Sequence, residues 1–160
     1  MTVHPIPPVF DEKSKILILG SFPSVKSRET EFFYGHPQNR FWKVISTILG
    51  ESLPTTVDEK RELLLKHRVA LWDVLASCDI DGSADSSIRN ATPNDISAIL
   101  STADVRAIFV NGKTAEKYYN RYIKPLTNRS AICLPSTSPA NAATSFERLL
   151  DAWQRINDHL

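Results

Sequence analysis

The chain has 160 residues, 42% of them hydrophobic, which suits a single packed domain and excludes a disordered or fibrous class. Lys and Arg number 19 against 18 Asp and Glu, a formal net charge of +1, so no overall field marks a binder of nucleic acid and any such surface must be local. Only two cysteines occur, Cys78 and Cys133, far apart and outside any CxxC, which excludes a cysteine-built metal or iron–sulfur framework.

The first residues, "MTVHPIPPVFDEKSK", lack the charged-then-apolar order of a signal peptide, and no run approaches the ~20 apolar residues of a membrane span. A reduced, cytoplasmic chain is the expectation, with one domain over 1–160 and residues 1–14 as an N-terminal extension. "KILILG" (Lys15–Gly20) is an apolar run closed by glycine, the pattern of a strand buried on both faces. After a loop, "NRFWKVISTILG" sets Phe41, Trp42, Val44, Ile45, Ile48 and Leu49 at helical spacing and stops at Gly50. "TVDEKRELLLKHR" reads as a second helix, acidic early and basic late as the helix dipole favours.

"VALWDVL" (Val69–Leu75) is a second strand, and Thr92, Pro93 and Asp95 give a helix-start signal in "TPNDISAILS". "VRAIFVNG" (Val105–Gly112) is a third buried strand, "KTAEKYYNRYI" the helix after it, and "SAICLPS" (Ser130–Ser136) a fourth strand. The closing helix, "AATSFERLLDAWQRINDHL", carries Phe146, Leu149, Leu150, Trp153 and Ile156 on one stripe. Strand and helix alternate throughout, so the expected fold is three-layer α/β/α around a central, mainly parallel four-stranded sheet.

In such a sheet ligands bind outside the carboxyl ends of the strands. The loops concerned begin at Ser21, Asp73, Asn111 and Ser136 and gather Tyr34, His36, Asn39, Asp73, Asn111 and the hydroxyl-rich "STSPAN". Rings, amides and hydroxyls with few acids suit stacking, amide recognition and anion contact better than metal-assisted hydrolysis, so neither a metal nor another cofactor is expected.

"GSFPS", "YGHPQNRFW", "LWDVL", "VNGKTA" and "LPSTSPAN" resemble the uracil-DNA glycosylase superfamily, and most closely its hypoxanthine-DNA glycosylase branch, from about Lys15 to Trp153. "HPQNRFW" is shared with the mismatch-specific uracil glycosylases; "LPSTSPAN" discriminates, because that group resembles "NPSG" at this point. The resemblance implies a monomeric, metal-free enzyme that flips a damaged base out of DNA and hydrolyses its N-glycosidic bond. It further implies that Tyr34 is the stacking aromatic and Asn39 the catalytic residue.

Chemistry is consistent with those roles. An extruded base needs a π-face and hydrogen bonds to its pairing edge, and Tyr34 supplies the face. Asn39 has no basic site at neutral pH, but an amide can orient a water toward an oxocarbenium-like sugar; capping of the following helix is the other role open to it. Where the best-known relatives have a carboxylate or amide in the first loop, this chain has Phe22, which is grouped with Gly20, Ser21 and Asp73 as base-binding. An ionised Asp73 can accept the N1–H of hypoxanthine, which adenine lacks; a turn cap or arginine partner is its alternative.

Ser136, Thr137, Ser138, Pro139 and Asn141 are expected to hold the DNA backbone at the start of the last helix, with a small wedge near Ala140–Asn141. Asn111-Gly112 is read as a close-approach turn supporting the pocket. His36 is either a structural donor or a partner of the leaving purine. Lys26, Arg28, Arg40, Lys113 and Lys117 are candidates for a local basic patch. The rival readings are a uracil or mismatch glycosylase, a damaged-base binder without turnover, and, last, a serine hydrolase without the G-x-S-x-G elbow.

Overall fold

The computed structural model describes residues 1–160. Its strands are β1 (Thr2–Val3), β2 (Ile16–Gly20), β3 (Val69–Asp73), β4 (Leu75–Asp79), β5 (Arg89–Pro93), β6 (Ala107–Asn111) and β7 (Ile132–Leu134). The helices are α1 (Val25–Thr30), α2 (Phe41–Ile48), α3 (Val57–Lys66), α4 (Ser97–Thr102), α5 (Lys113–Tyr118), α6 (Lys124–Thr127) and α7 (Phe146–Trp153).

Four strands pair in parallel in the order β3-β2-β6-β7. Successive side chains of a strand point to opposite faces, so β2 builds two cores at once. Ile16 and Ile18 join Val44 and Ile45 of α2, Leu63 and Leu64 of α3, and Leu149 and Trp153 of α7. Leu17 and Leu19 face the other way, onto Ile99 of α4 and Ala115 and Tyr118 of α5. The three-layer α/β/α arrangement with a four-stranded parallel sheet is therefore as expected.

Four details differ from the sequence reading. "VALWDVL" is two strands: the chain turns at Val74, whose N–H donates to Gly20 O at 2.7 Å, and Leu75 begins β4 in a second, antiparallel sheet ordered β1-β4-β5. Thr92 and Pro93 end β5, so α4 begins only at Ser97, whose N–H is held by Asp95 Oδ1 at 2.9 Å. The closing helix starts at Phe146 behind its cap Ser145 and tightens into 3₁₀ turns from Gln154, leaving residues 135–145 as a loop. Residues 1–14, expected to extend from the domain, pack on it: Ile6 and Val9 are buried and β1 pairs with β4.

The path of the chain selects the working end of the sheet. After β2 it crosses to β3 over the face covered by α2 and α3; after β6 it crosses to β7 on the opposite side, through α5. The loops leaving β2 and β6 thus part between two neighbouring strands and open a crevice at their carboxyl ends.

Candidate active site

Four side chains, two from the loop between α1 and α2, one from the end of β6 and one from the loop after β7, close that crevice in one hydrogen-bonded chain. Asn111, the last residue of β6, receives the Thr137 N–H on its Oδ1 at 3.1 Å, which fixes the orientation of its amide. Its Nδ2 then donates to Tyr34 Oη at 3.1 Å and to Thr137 Oγ1 at 3.0 Å. Thr137 passes its own hydroxyl hydrogen to Asn39 Oδ1 at 2.9 Å. Phe41 N–H, at the start of α2, fills the second acceptor site of the same oxygen at 2.9 Å. Asn39 thus both closes the turn that leads into α2, one residue before the N-cap Arg40, and joins the hydrogen-bonded chain. Its Nδ2 bonds to nothing in the protein and stays within reach of solvent, because no buried side-chain polar atom lacks a partner.

Tyr34 adopts a left-handed backbone, φ 54°, and its ring stacks on Phe41 with centroids 4.2 Å apart at 20°. One face is thus backed, and the half-buried ring has only its other face for a ligand. Burial, followed by the charge of Asp73, pushes the phenol well above its ordinary pKa, so the hydroxyl stays neutral and keeps its hydrogen.

Asp73 ends β3 beside Gly20. A side chain at Gly20 would collide with Asp73 Oδ1 and lie 2.7 Å from Tyr34 Oη, so glycine is what allows these two groups to converge there. Asp73 Oδ2 accepts from His4 Nε2 at 2.8 Å, while Oδ1 takes no donor from the protein. Gly112, with φ +94°, serves a similar approach on the other strand, where a Cβ would press on Ser136 Cβ at 2.9 Å.

Several expected contacts fall elsewhere. Phe22 is 8% exposed and packs in the second core, edge-on to His4 at 5.9 Å with the Arg28 guanidinium 5.7 Å over its ring, so it has almost no surface for a base. Thr137 is 0% exposed and its hydroxyl is spent on Asn39, so it meets no phosphate. Residues 136–141 lie in a loop well before α7 and do not form a helix N-terminus. Within that loop Ser136 Oγ accepts from Ser138 N–H, Ser138 Oγ accepts from Ala140 N–H, and Asn141 Nδ2 donates to Ser136 O at 2.9 Å; Pro139 and Ala140 are the exposed tip.

Arg40 donates to Thr144 O at 2.7 Å and Asn141 O at 2.9 Å, so it braces the loop rather than facing outward. Arg28 similarly donates to Gly82 O at 2.6 Å. His36 Nδ1 accepts from Gln38 N–H at 3.1 Å in a local turn, and no hydrogen bond joins its ring to the network.

Two residues absent from the sequence reading belong to this neighbourhood. His4 reaches Asp73 across 69 residues, a distance no local pattern encodes. Asp85, from the polar run "DGSADSS", accepts from Ser21 Oγ at 3.2 and 3.3 Å. Although the residue as a whole is exposed, desolvation of its carboxylate, helped by nearby Asp73, pushes its pKa up against the opposing bonds from Ser21 and Thr114.

No group of three or more His, Cys, Asp or Glu side chains is set to hold a metal ion. No helix is long and apolar enough to cross a membrane. A surface depression of about 340 Å³ lies at the opposite, amino ends of the strands, lined by Glu12, Lys13, Ser14, Lys15, Arg68 and Asp104. Its lining has no aromatic ring and no side-chain amide, unlike the carboxyl-end crevice.

The family model of the uracil DNA glycosylase superfamily matches residues 7–158. The chain belongs to that superfamily. It is 36% identical over 155 residues to a protein of Methanosarcina acetivorans named hypoxanthine DNA glycosylase, covering 96% of each chain. A protein of the same name from Methanosarcina barkeri is 36% identical over 114 residues, 70% of this chain and 72% of that one. Among solved structures, the solution NMR structure of a protein from Methanosarcina acetivorans, named as a candidate uracil DNA glycosylase, superposes with a TM-score of 0.78 at 31% identity. That match covers 95% of this chain and 96% of the other. Both Methanosarcina sequence relatives carry the name of the hypoxanthine branch that the motifs resemble.

Proposed function

We propose that the protein is a DNA repair glycosylase that extrudes a deaminated base, hypoxanthine foremost, and hydrolyses its N-glycosidic bond. The observation that carries the reading is the chain Tyr34–Asn111–Thr137–Asn39, which ties a one-faced stacking ring to a carboxamide whose NH2 group is free to donate. The names of the relatives support the same substrate.

The base lies on the open face of Tyr34, a stack worth roughly 1–3 kcal/mol by analogy with other base–aromatic pairs. Asp73 Oδ1, unpartnered beside Gly20, accepts the N1–H of hypoxanthine. Adenine has no hydrogen there and leaves two acceptors face to face, which a polar site rejects strongly. Both acceptor sites of Asn39 Oδ1 are occupied, so Asn39 holds a water only by donating from Nδ2. That bond uses one lone pair of the water and leaves the other directed at the sugar.

No base removes a proton first. The C1′–N9 bond breaks ahead of attack and its electron pair leaves with the purine. The water oxygen then bonds to the electron-poor C1′, and its surplus proton passes to the departing base or to solvent. Positioning supplies the catalysis. Ser138, Pro139 and Asn141 place the loop tip against the DNA strand, and the enzyme works as a cytoplasmic monomer without a cofactor.

A damaged-base binder without turnover is the second reading, favoured by Phe22 lying in the core at the position where the resemblance to the superfamily implies a water-activating group. Single-turnover assays on inosine- and uracil-containing DNA, single- and double-stranded, decide between them. Abasic product from inosine at the higher rate is expected. Tight binding with no abasic product would establish the binder, and faster release of uracil would move the enzyme to the uracil branch.

A further inference from the structure

We propose that His4 is a positioning residue of the excision site, pinning one oxygen of Asp73 so that the other is aimed at the pairing edge of the extruded base. This rests on the reading that Asp73 recognises that edge, and it makes the N-terminal segment a working part of the site.

The pair is buried almost completely, with side chains 2% and 4% exposed and His4 Nε2 2.8 Å from Asp73 Oδ2. Its polarity is fixed by the backbone: Ile6 N–H donates to His4 Nδ1 at 3.1 Å, so the ring hydrogen sits on Nε2 and is given to the carboxylate. The strap holding the imidazole is itself anchored. His4 N–H donates to Ala76 O at 2.7 Å, and the Trp72 indole donates to Ile6 O at 3.0 Å. Phe22, Phe33 and Trp72 stand around the imidazole with centroids 5.9, 6.1 and 6.2 Å away, leaving it no room to swing.

A buried carboxylate requires donors, and the only side-chain donor Asp73 receives is this ring. With Oδ2 held, rotation about the Cβ–Cγ bond is blocked and Oδ1 stays beside Gly20, facing the crevice. Without His4, the carboxylate turns toward whatever donor or water it finds, and the contact to N1–H loses its direction.

The experiment is single-turnover excision from an inosine duplex by wild type, His4→Phe, His4→Gln, Asp73→Asn and the His4→Phe/Asp73→Asn double variant, with unfolding temperatures alongside. His4→Phe keeps the aromatic packing without the donor and is expected to lower the rate about 10- to 100-fold. Gln carries a donor nitrogen the same number of bonds from Cα, so His4→Gln should recover to within about threefold of wild type. On the Asp73→Asn background, His4→Phe should add less than about threefold, because the two residues act as one unit. A His4→Phe rate within twofold of wild type, no rescue by Gln, or effects that multiply would each overturn the proposal.

The two readings fail differently. Asp73→Asn at the wild-type rate removes base-edge recognition along with the role of His4, whereas a slow Asp73→Asn beside a normal His4→Phe removes only the latter. An activity-independent readout comes from ¹⁵N NMR of His4, expected to show a protected Nε2–H that loses its protection in Asp73→Asn. A hydrogen on Nδ1 instead would overturn the proposal whether or not the variants fold.

Discussion

Replacing Thr137 by valine keeps the side chain's shape and deletes one hydroxyl at 0% exposure. That hydroxyl accepts from Asn111 Nδ2 at 3.0 Å and donates to Asn39 Oδ1 at 2.9 Å, so two buried hydrogen bonds disappear. Neither partner is orphaned: Asn111 Nδ2 still reaches Tyr34 Oη, and Asn39 Oδ1 still receives Phe41 N–H. Each lost bond then costs about 1 kcal/mol net, with a smaller addition for the two amides left less satisfied, giving about 2–3 kcal/mol. For a domain of this size that corresponds to a fall in Tm of about 4–12 °C.

The functional consequence is larger than the thermal one, because Asn39 loses the partner that fixes its amide plane. Single-turnover excision of hypoxanthine should fall about 10- to 100-fold, while Thr137→Ser, which retains the hydroxyl, stays within about threefold. Urea unfolding followed by tryptophan fluorescence supplies the stability difference. Thr137→Val within about 0.5 kcal/mol of wild type and equally active would refute the argument that this hydroxyl organises the site.

Other variants address the remaining parts. Tyr34→Leu should weaken binding of inosine DNA by about 5- to 150-fold, the equivalent of one base–aromatic stack, as measured by KM or by fluorescence anisotropy. Gly20→Ala drives a methyl group into Asp73 Oδ1 and Tyr34 Oη and should lower excision by at least about 100-fold, with activity unchanged only if those groups do not converge on the base. Asp85 is held above its ordinary carboxylate range, so the folded state binds its proton more tightly than the unfolded chain does. Its favourable contribution is complete at low pH and is lost as pH rises through the raised value. Asp85→Asn should therefore raise Tm at pH 7 relative to wild type and lose that advantage near pH 3; equal gains at both would contradict the assignment.

The sheet is legible in the sequence because strands buried on both faces must be apolar throughout. "ILILG" and "AIFVN" admit little else, and the apolar runs by themselves select the loops at their carboxyl ends. β4 and β5 are hidden because "LASCD" and "RNATP" form a half-exposed antiparallel ribbon with shifted register, so neither apolar run nor clean alternation marks them. Leu75 reads as a continuation of β3, since nothing local records that Val74 and Leu75 donate back to Gly20 and Ser21.

At the candidate site, Asn39, Tyr34, Asp73 and Asn111 stand out by chemical type and by place at or after strand ends. Thr137 reads as outward-facing because serine–proline loops usually lie on the surface; only Asn111 and Asn39 arriving from other elements make it interior. Phe22 occupies a motif position at which the resemblance implies chemistry, but an aromatic ring there finds more apolar contact inward than toward a crevice. His4 and Asp85 come from segments with the composition of tails and turns, and their partners are 69 and 64 residues away.

The central claim, that a carboxamide positions water for an unassisted departure of the base, is tested most directly by Asn39→Ala. Loss of the bonds from Phe41 N–H and the Thr137 hydroxyl should cost about 2–3 kcal/mol of stability, less than the about 5–15 kcal/mol that holds a domain folded. Single-turnover release of hypoxanthine from an inosine duplex should nevertheless fall at least about 100-fold, with DNA affinity little changed. A folded Asn39→Ala protein that forms abasic product at the wild-type rate would contradict the account.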